Sequence, residues 1–202
     1  MTTAIAAPHI LADLLPRSRT RTAALVVGFA LLTAAAAQVT VPLPWTPVPV
    51  SGQTFAVLLA GAALGWRAGA ASQLLYVVLG AIGLPFYSGG ASGWTFLSGA
   101  TGGYLVGFVV AAALVGLLAE RRQDRSVVTS VPAMLAGTAV IYLFGVTWLA
   151  HVLGTDAADA MEKGLLPFVI GDMLKLVAAG ALLPVAWRLA RPGGADDETR
   201  QG

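Results

Sequence analysis

"QTFAVLLAGAALGWRAGAASQLLYVVLGAIG" (residues 53–83) carries one charge, Arg67, in an otherwise apolar run. Whether Arg67 marks a turn decides how often the chain crosses a membrane. Broken after "LGW", the run yields two short spans, 53–66 and 68–83, with a tight turn between them.

On the N-terminal side stands "VPLPWTPVPVSG" (residues 41–52), with prolines at 42, 44, 47 and 49. Each lacks a backbone donor and resists helix, so an extended connector is expected. Before it, residues 23–39 form an uncharged first span near the lower limit for crossing a bilayer. Arginines ahead of it and "AAAAQ" (34–38) also fit a secretory signal with a small-residue cleavage site. Further spans follow, so a retained helix is the simpler reading.

On the C-terminal side, residues 83–103 hold seven glycines and the aromatics Phe86, Tyr87, Trp94 and Phe96. This is a loop by composition, though an apolar one. Spans are expected at about 104–119, 127–153 and 165–187. Between them lie "ERRQDR" (120–125), read as polar and flexible, and "GTDAADAMEKG" (154–164), read as an acidic linker. The polar tail 191–202 is expected to be disordered. The chain thus divides into a cytoplasmic tail (1–22), a six-helix membrane domain (23–190) and a second cytoplasmic tail (191–202).

Composition agrees. Of 202 residues 57% are hydrophobic and 11% charged, against about 25% charged in a soluble domain. The mean hydropathy is +0.79. The expected class is therefore an all-α integral membrane protein. Cysteine is absent, which excludes disulfides, thiolate nucleophiles and cysteine metal sites. His9 and His151 are isolated, so no metal site is expected, and no cofactor. The few arginines sit at segment ends and form no nucleic-acid patch. Basic residues collect on the cytoplasmic side of membrane proteins. With six crossings and both termini inside, ten arginines fall inside (17, 19, 21, 67, 121, 122, 125, 188, 191 and 200), and Lys163 falls outside. That bias supports the turn at Arg67.

"PFVIGDMLKL" (167–176) puts Asp172 and Lys175 three residues apart, on one face of the last helix. Counted from a helix start near Leu165, they lie about 10–15 Å deep. An ionisable group at that depth usually serves a ligand or a pathway; a structural ion pair is the bland alternative. A carboxylate accepts N–H groups and an ammonium donates to oxygen. Gln53 can do both, unless it merely faces headgroups. Tyr87, Trp94, Tyr104 and Trp45 are candidate pocket walls or lid residues, or an interfacial aromatic belt. Two irregular segments on the outer side favour a pocket open outward, because such backbone persists near a bilayer only where protein or water satisfies it. Ala30 and Ala34 form a small-xxx-small pair able to dock another membrane helix. There is no Gly-Lys-Ser/Thr phosphate loop and no Ser/His/Asp or His/Glu cluster.

Taken together, residues 41–65, 74–93 ("LLYVVLGAIGLPFYSGGASG"), 101–108 ("TGGYLVGF") and 167–176 resemble the BioY family, the biotin-binding S components of energy-coupling factor (ECF) transporters. The resemblance implies a compact six-helix protein of the cell membrane that captures biotin from outside. It also implies partnership, within the lipid bilayer, with a transmembrane coupling protein and two cytoplasmic ABC-type ATPases. The family's Asp-x-x-Lys pair matches Asp172 and Lys175, and its Gln-Thr pair matches Gln53 and Thr54. Its usual Thr-Leu before that Gln is replaced here by Ser51-Gly52. Ala30 and Ala34 resemble the docking motif. By this resemblance Asp172 meets the ureido N–H groups of biotin, and Lys175 meets Asp172, the ureido oxygen or the valerate carboxylate. The loops 41–52 and 83–103 become lids. Another vitamin on the same architecture, an intramembrane enzyme using Asp172 or Lys175, and a purely structural subunit are the competing readings.

Overall fold

The computed structural model describes residues 9–14 and 18–190; the expected tail 191–202 and half of the N-terminal tail, Arg17 included, lie outside the described residues. Ser18 begins the first helix, α1 (Arg19–Gln38), by accepting the Arg21 N–H at 3.1 Å, which satisfies one orphan donor of the first turn. The prolines then end it. The connector closes on itself through a two-residue ladder, β1 (Thr40–Val41) antiparallel to β2 (Val50–Ser51), with Thr40 opposite Ser51.

The next helix, α2 (Gln53–Ala81), changes direction at Gly65, where φ is 79° and ψ 175°. Gln53 Nε2 donates to the Tyr76 hydroxyl at 2.5 Å, 23 residues away; a straight helix would part them by about 35 Å. A Cβ on Gly69 would stand 2.9 Å from Gly61 Cα. The two arms of α2 are therefore a hairpin. The reversal expected at Arg67 falls two residues earlier, because positive φ is nearly free only for glycine. The Trp66 N–H released by the break is accepted by Glu120 at 3.1 Å. Arg67 stacks on the Trp66 ring, 5.0 Å from its centroid.

The loop after α2 contains a 3-10 turn (Ser88–Gly90) and one helical turn, α3 (Trp94–Leu97). Then come α4 (Gly102–Glu120), α5 (Val127–Leu153), α6 (Ala157–Gly164) and α7 (Val169–Ala190). Five of these helices, α1, α2, α4, α5 and α7, are long and apolar enough to cross a membrane. Glycine and alanine bring α2 onto α4: a Cβ on Gly61 would stand 2.5 Å from the Ala112 carbonyl oxygen, the close backbone approach that small residues allow between membrane helices.

Four expectations change. Residues 154–164 are not a linker throughout: Asp156 accepts the Asp159 N–H at 2.8 Å, and Lys163 pairs with Asp159 at 2.8 Å, so α6 forms. The polar turn 120–125 hides Asp124, only 2% exposed and bonded to the Trp187 indole. The last helix begins at Val169 rather than Leu165, after a turn over 165–168 that contains Pro167, so Asp172 lies in its first turn. Ala30 and Ala34 are buried in this chain's own core, beside Thr33, whose hydroxyl meets Gln73 Oε1 at 3.3 Å. They pack α1 onto the bundle and are covered within this chain.

Candidate functional site

A cleft of about 530 Å³, including its open mouth, lies between β2, the first turn of α2, α4, α5 and α7. Its polar side is built on Asp172, 7% exposed. The Asp172 N–H donates to the Phe168 carbonyl at 2.8 Å as α7 starts, and a carboxylate in a first turn is favoured by the helix dipole. Oδ1 accepts from Lys175 Nζ at 2.7 Å and from Thr54 Oγ1 at 3.2 Å; Oδ2 accepts from the Tyr142 hydroxyl at 2.6 Å. Lys175 also donates to the Ser51 carbonyl at 2.6 Å. An ionised carboxylate has about four acceptor positions and an ammonium three donors. About one acceptor position on Asp172 and one donor on Lys175 therefore remain, and both residues line the cleft.

Gln53 joins both loops to the bundle. Its Oε1 accepts from Ser51 Oγ at 2.7 Å and Ser88 Oγ at 2.8 Å, while its amide holds Tyr76. Tyr104 donates to the Gly164 carbonyl at 2.6 Å, and its ring lies where a side chain on Gly145 would stand. Phe96, Phe108 and Phe168 supply apolar wall.

Asp172, Lys175, Gln53 and Tyr104 thus come together around one space. Tyr87 is behind it: fully buried, stacked on Phe96 with centroids 5.1 Å apart, and donating to the Val77 carbonyl at 2.7 Å. Burial pushes its hydroxyl up to about 12. Trp94 and Trp45 are 71% and 62% exposed and stand outside the lining. Among the described residues no group of three or more His, Cys, Asp or Glu is placed to hold a metal. Tyr142 was not foreseen. The signal for it exists, since a tyrosine inside an apolar helix needs a partner for its hydroxyl.

Comparison with known proteins bears on this site. The model of the BioY family matches residues 7–192. A biotin transporter BioY of Rhizobium etli is 36% identical over 167 residues, covering 79% of this chain and 86% of its own. A probable biotin transporter BioY of Pyrococcus horikoshii is 39% identical over 155 residues, covering 77% and 89%. The fold is that of a solved S component for biotin from an ECF-type ABC transporter, with a TM-score of 0.78 at 22% identity, over 89% of this chain and 97% of that one.

Proposed function

The chain belongs to the BioY family, and from that premise we propose that it is the substrate-binding membrane subunit of a biotin uptake transporter. It is a multi-pass protein of the cell membrane. The observation that carries the reading is the spare acceptor position on Asp172 and the spare donor on Lys175, two groups paired through Oδ1 at 2.7 Å in a lining shared with aromatic walls. A urea places an N–H next to a C=O. One edge of the ureido ring suits both groups at once: N–H to Asp172, oxygen to Lys175. With Thr54, Tyr142 and Lys175 already on the carboxylate, Asp172 has room for about one ureido N–H rather than two. The thiophane ring and valerate chain then lie along Tyr104, Phe96, Phe108 and Phe168.

The proposed topology has six crossings, the arms of α2 counted separately, with both termini cytoplasmic and the cleft open to the outside. The first arm of α2 is about 18 Å long, less than the roughly 30 Å hydrocarbon core. The β1–β2 loop would complete that crossing, which is tolerable because its backbone lines a cavity. The two loops are lids. Lys175 holds one through Ser51, and Gln53 holds both. The energy would come from a coupling protein with two ATPases. With Ala30 and Ala34 covered, that coupling protein would meet the outward face of α1, where Val27 and Leu31 are exposed and the surroundings of Gly28 are open.

Calorimetry of biotin binding to the purified chain tests the reading, with Asp172→Asn and Lys175→Ala alongside. Wild type should bind, and each substitution should weaken binding at least about tenfold, as expected for a lost charged hydrogen bond. Folded wild type that binds no biotin overturns the assignment and points to another vitamin.

A further inference from the structure

Tyr142 borders two spaces. One is the cleft. The other is a crevice of about 1120 Å³ between α5, α6 and α7, lined by apolar side chains such as Leu135, Leu143, Val146, Met161 and Met173. Leu135, Leu143, Met161 and Met173 are exposed on the outside of the bundle, so the crevice opens on the face that α5 and α7 turn to the bilayer. Among the described residues only Tyr142 and Asp172 line both spaces. At this point one phenol ring and one carboxylate separate lipid hydrocarbon from a site for a polar solute.

Asp172 could not fill that place by itself. A carboxylate oxygen facing hydrocarbon loses its solvation and gains nothing in return. The Tyr142 hydroxyl removes the difficulty by donating to Oδ2 at 2.6 Å, a charge-assisted bond of the stronger kind. The ring fills the wall while the hydroxyl holds the carboxylate. One acceptor position is left over for the cleft, which Asp172 also lines. Resting on the biotin reading, we propose that Tyr142 is a positioning residue with two tasks: it aims Asp172 at the ligand, and it bars acyl chains from the ligand cleft.

The two tasks separate by substitution. Tyr142→Phe keeps the wall and deletes the bond; Tyr142→Ala deletes both, with Tyr142→Leu in its place if the alanine variant does not fold. Biotin affinity is measured by calorimetry on the full chain in lipid nanodiscs, with and without added 1-dodecanol as a neutral acyl-chain probe. The phenylalanine variant should bind biotin about 10- to 100-fold more weakly than wild type, and dodecanol should leave both unchanged. In the alanine variant dodecanol should raise the biotin Kd further, because the chain can now enter the cleft. A general loss of packing would not produce that split. Phenylalanine binding like wild type, or dodecanol acting equally on all variants, overturns the role of Tyr142 while leaving the biotin reading intact. Wild type that binds no biotin overturns both.

Discussion

Asp172, in the first turn of α7, and Asp124, bonded to Trp187 near the other end of α7, are both buried carboxylates with a cation beside them. Their surroundings differ. Asp172 borders a cleft of about 530 Å³. Asp124 borders a space of about 150 Å³, and Arg125 covers the partner indole, 3.3 Å from its ring centroid. The Arg125 Nε stands 3.5 Å from Asp124 Oδ1. One carboxylate borders space that could admit a solute. The other clamps the α4–α5 turn onto α7. A buried charge marks a binding site only when spare hydrogen-bonding capacity and room coincide.

Substitutions at the two ends test that contrast. The largest effect is expected from Asp172→Asn, which keeps the shape and removes the charge. Biotin affinity should fall about 100-fold, while the thermal midpoint of the ligand-free protein stays close to wild type. If affinity survives and stability drops instead, both ends are clamps and the contrast fails. Asp124→Ala should do the reverse. It leaves the Trp187 N–H and Arg125 without their carboxylate and should cost about 2–3 kcal/mol of stability in denaturant titration. That is the low side for a broken buried pair, because the Arg125 side chain is 21% exposed. Biotin affinity should stay within about twofold, surface-remote changes being nearly additive with binding.

A smaller effect concerns pH. Burial raises the Asp124 carboxyl above the usual carboxylate range, and the Trp187 and Arg125 contacts only partly oppose it. A group raised in the fold contributes stability that is complete below its ordinary value and lost as pH rises through the raised one. Asp124→Asn keeps an acceptor for Trp187 and removes the titration. Thermal midpoints followed upward from about pH 4 should therefore decline in wild type relative to the asparagine variant; parallel curves would mean that Asp124 carries its charge without cost. The smallest effect belongs to Asp159. Lys163 and Thr155 hold its carboxyl below the usual range, so its contribution is present above the ordinary value and fades as pH falls through the lowered one. Because the pair is solvent-exposed, Asp159→Asn should leave the midpoint unchanged at pH 7.

Several elements were legible before any coordinates. The prolines of 41–52 ended α1, and the apolar periods placed every long helix. The Asp-x-x-Lys spacing put two charges on one face of the last helix. Arg67 correctly signalled a reversal, yet its position was off by two residues, since the deciding quantity was the backbone angle of Gly65 and the reach of Glu120 from α4. The start of α7 moved because Pro167 followed a helix that composition alone had made a linker. Trp45 and Trp94 looked like pocket walls by type and are exposed, whereas Tyr142 looked like one more apolar helix residue and meets the carboxylate.

Hydropathy, breakers and charge placement act locally along the chain. They were enough to determine a helical membrane protein, its long apolar segments and the rare charges worth asking about. Which side chains share a space depends on residues that meet across 30 to 124 positions, as Tyr142 meets Asp172 and Lys175 meets Ser51. Helix rotation and the close approach of glycine-lined faces set those meetings. The inward turn of Ala30 and Ala34, the room beside Asp172 and the lack of it beside Asp124 were therefore decided by tertiary packing alone.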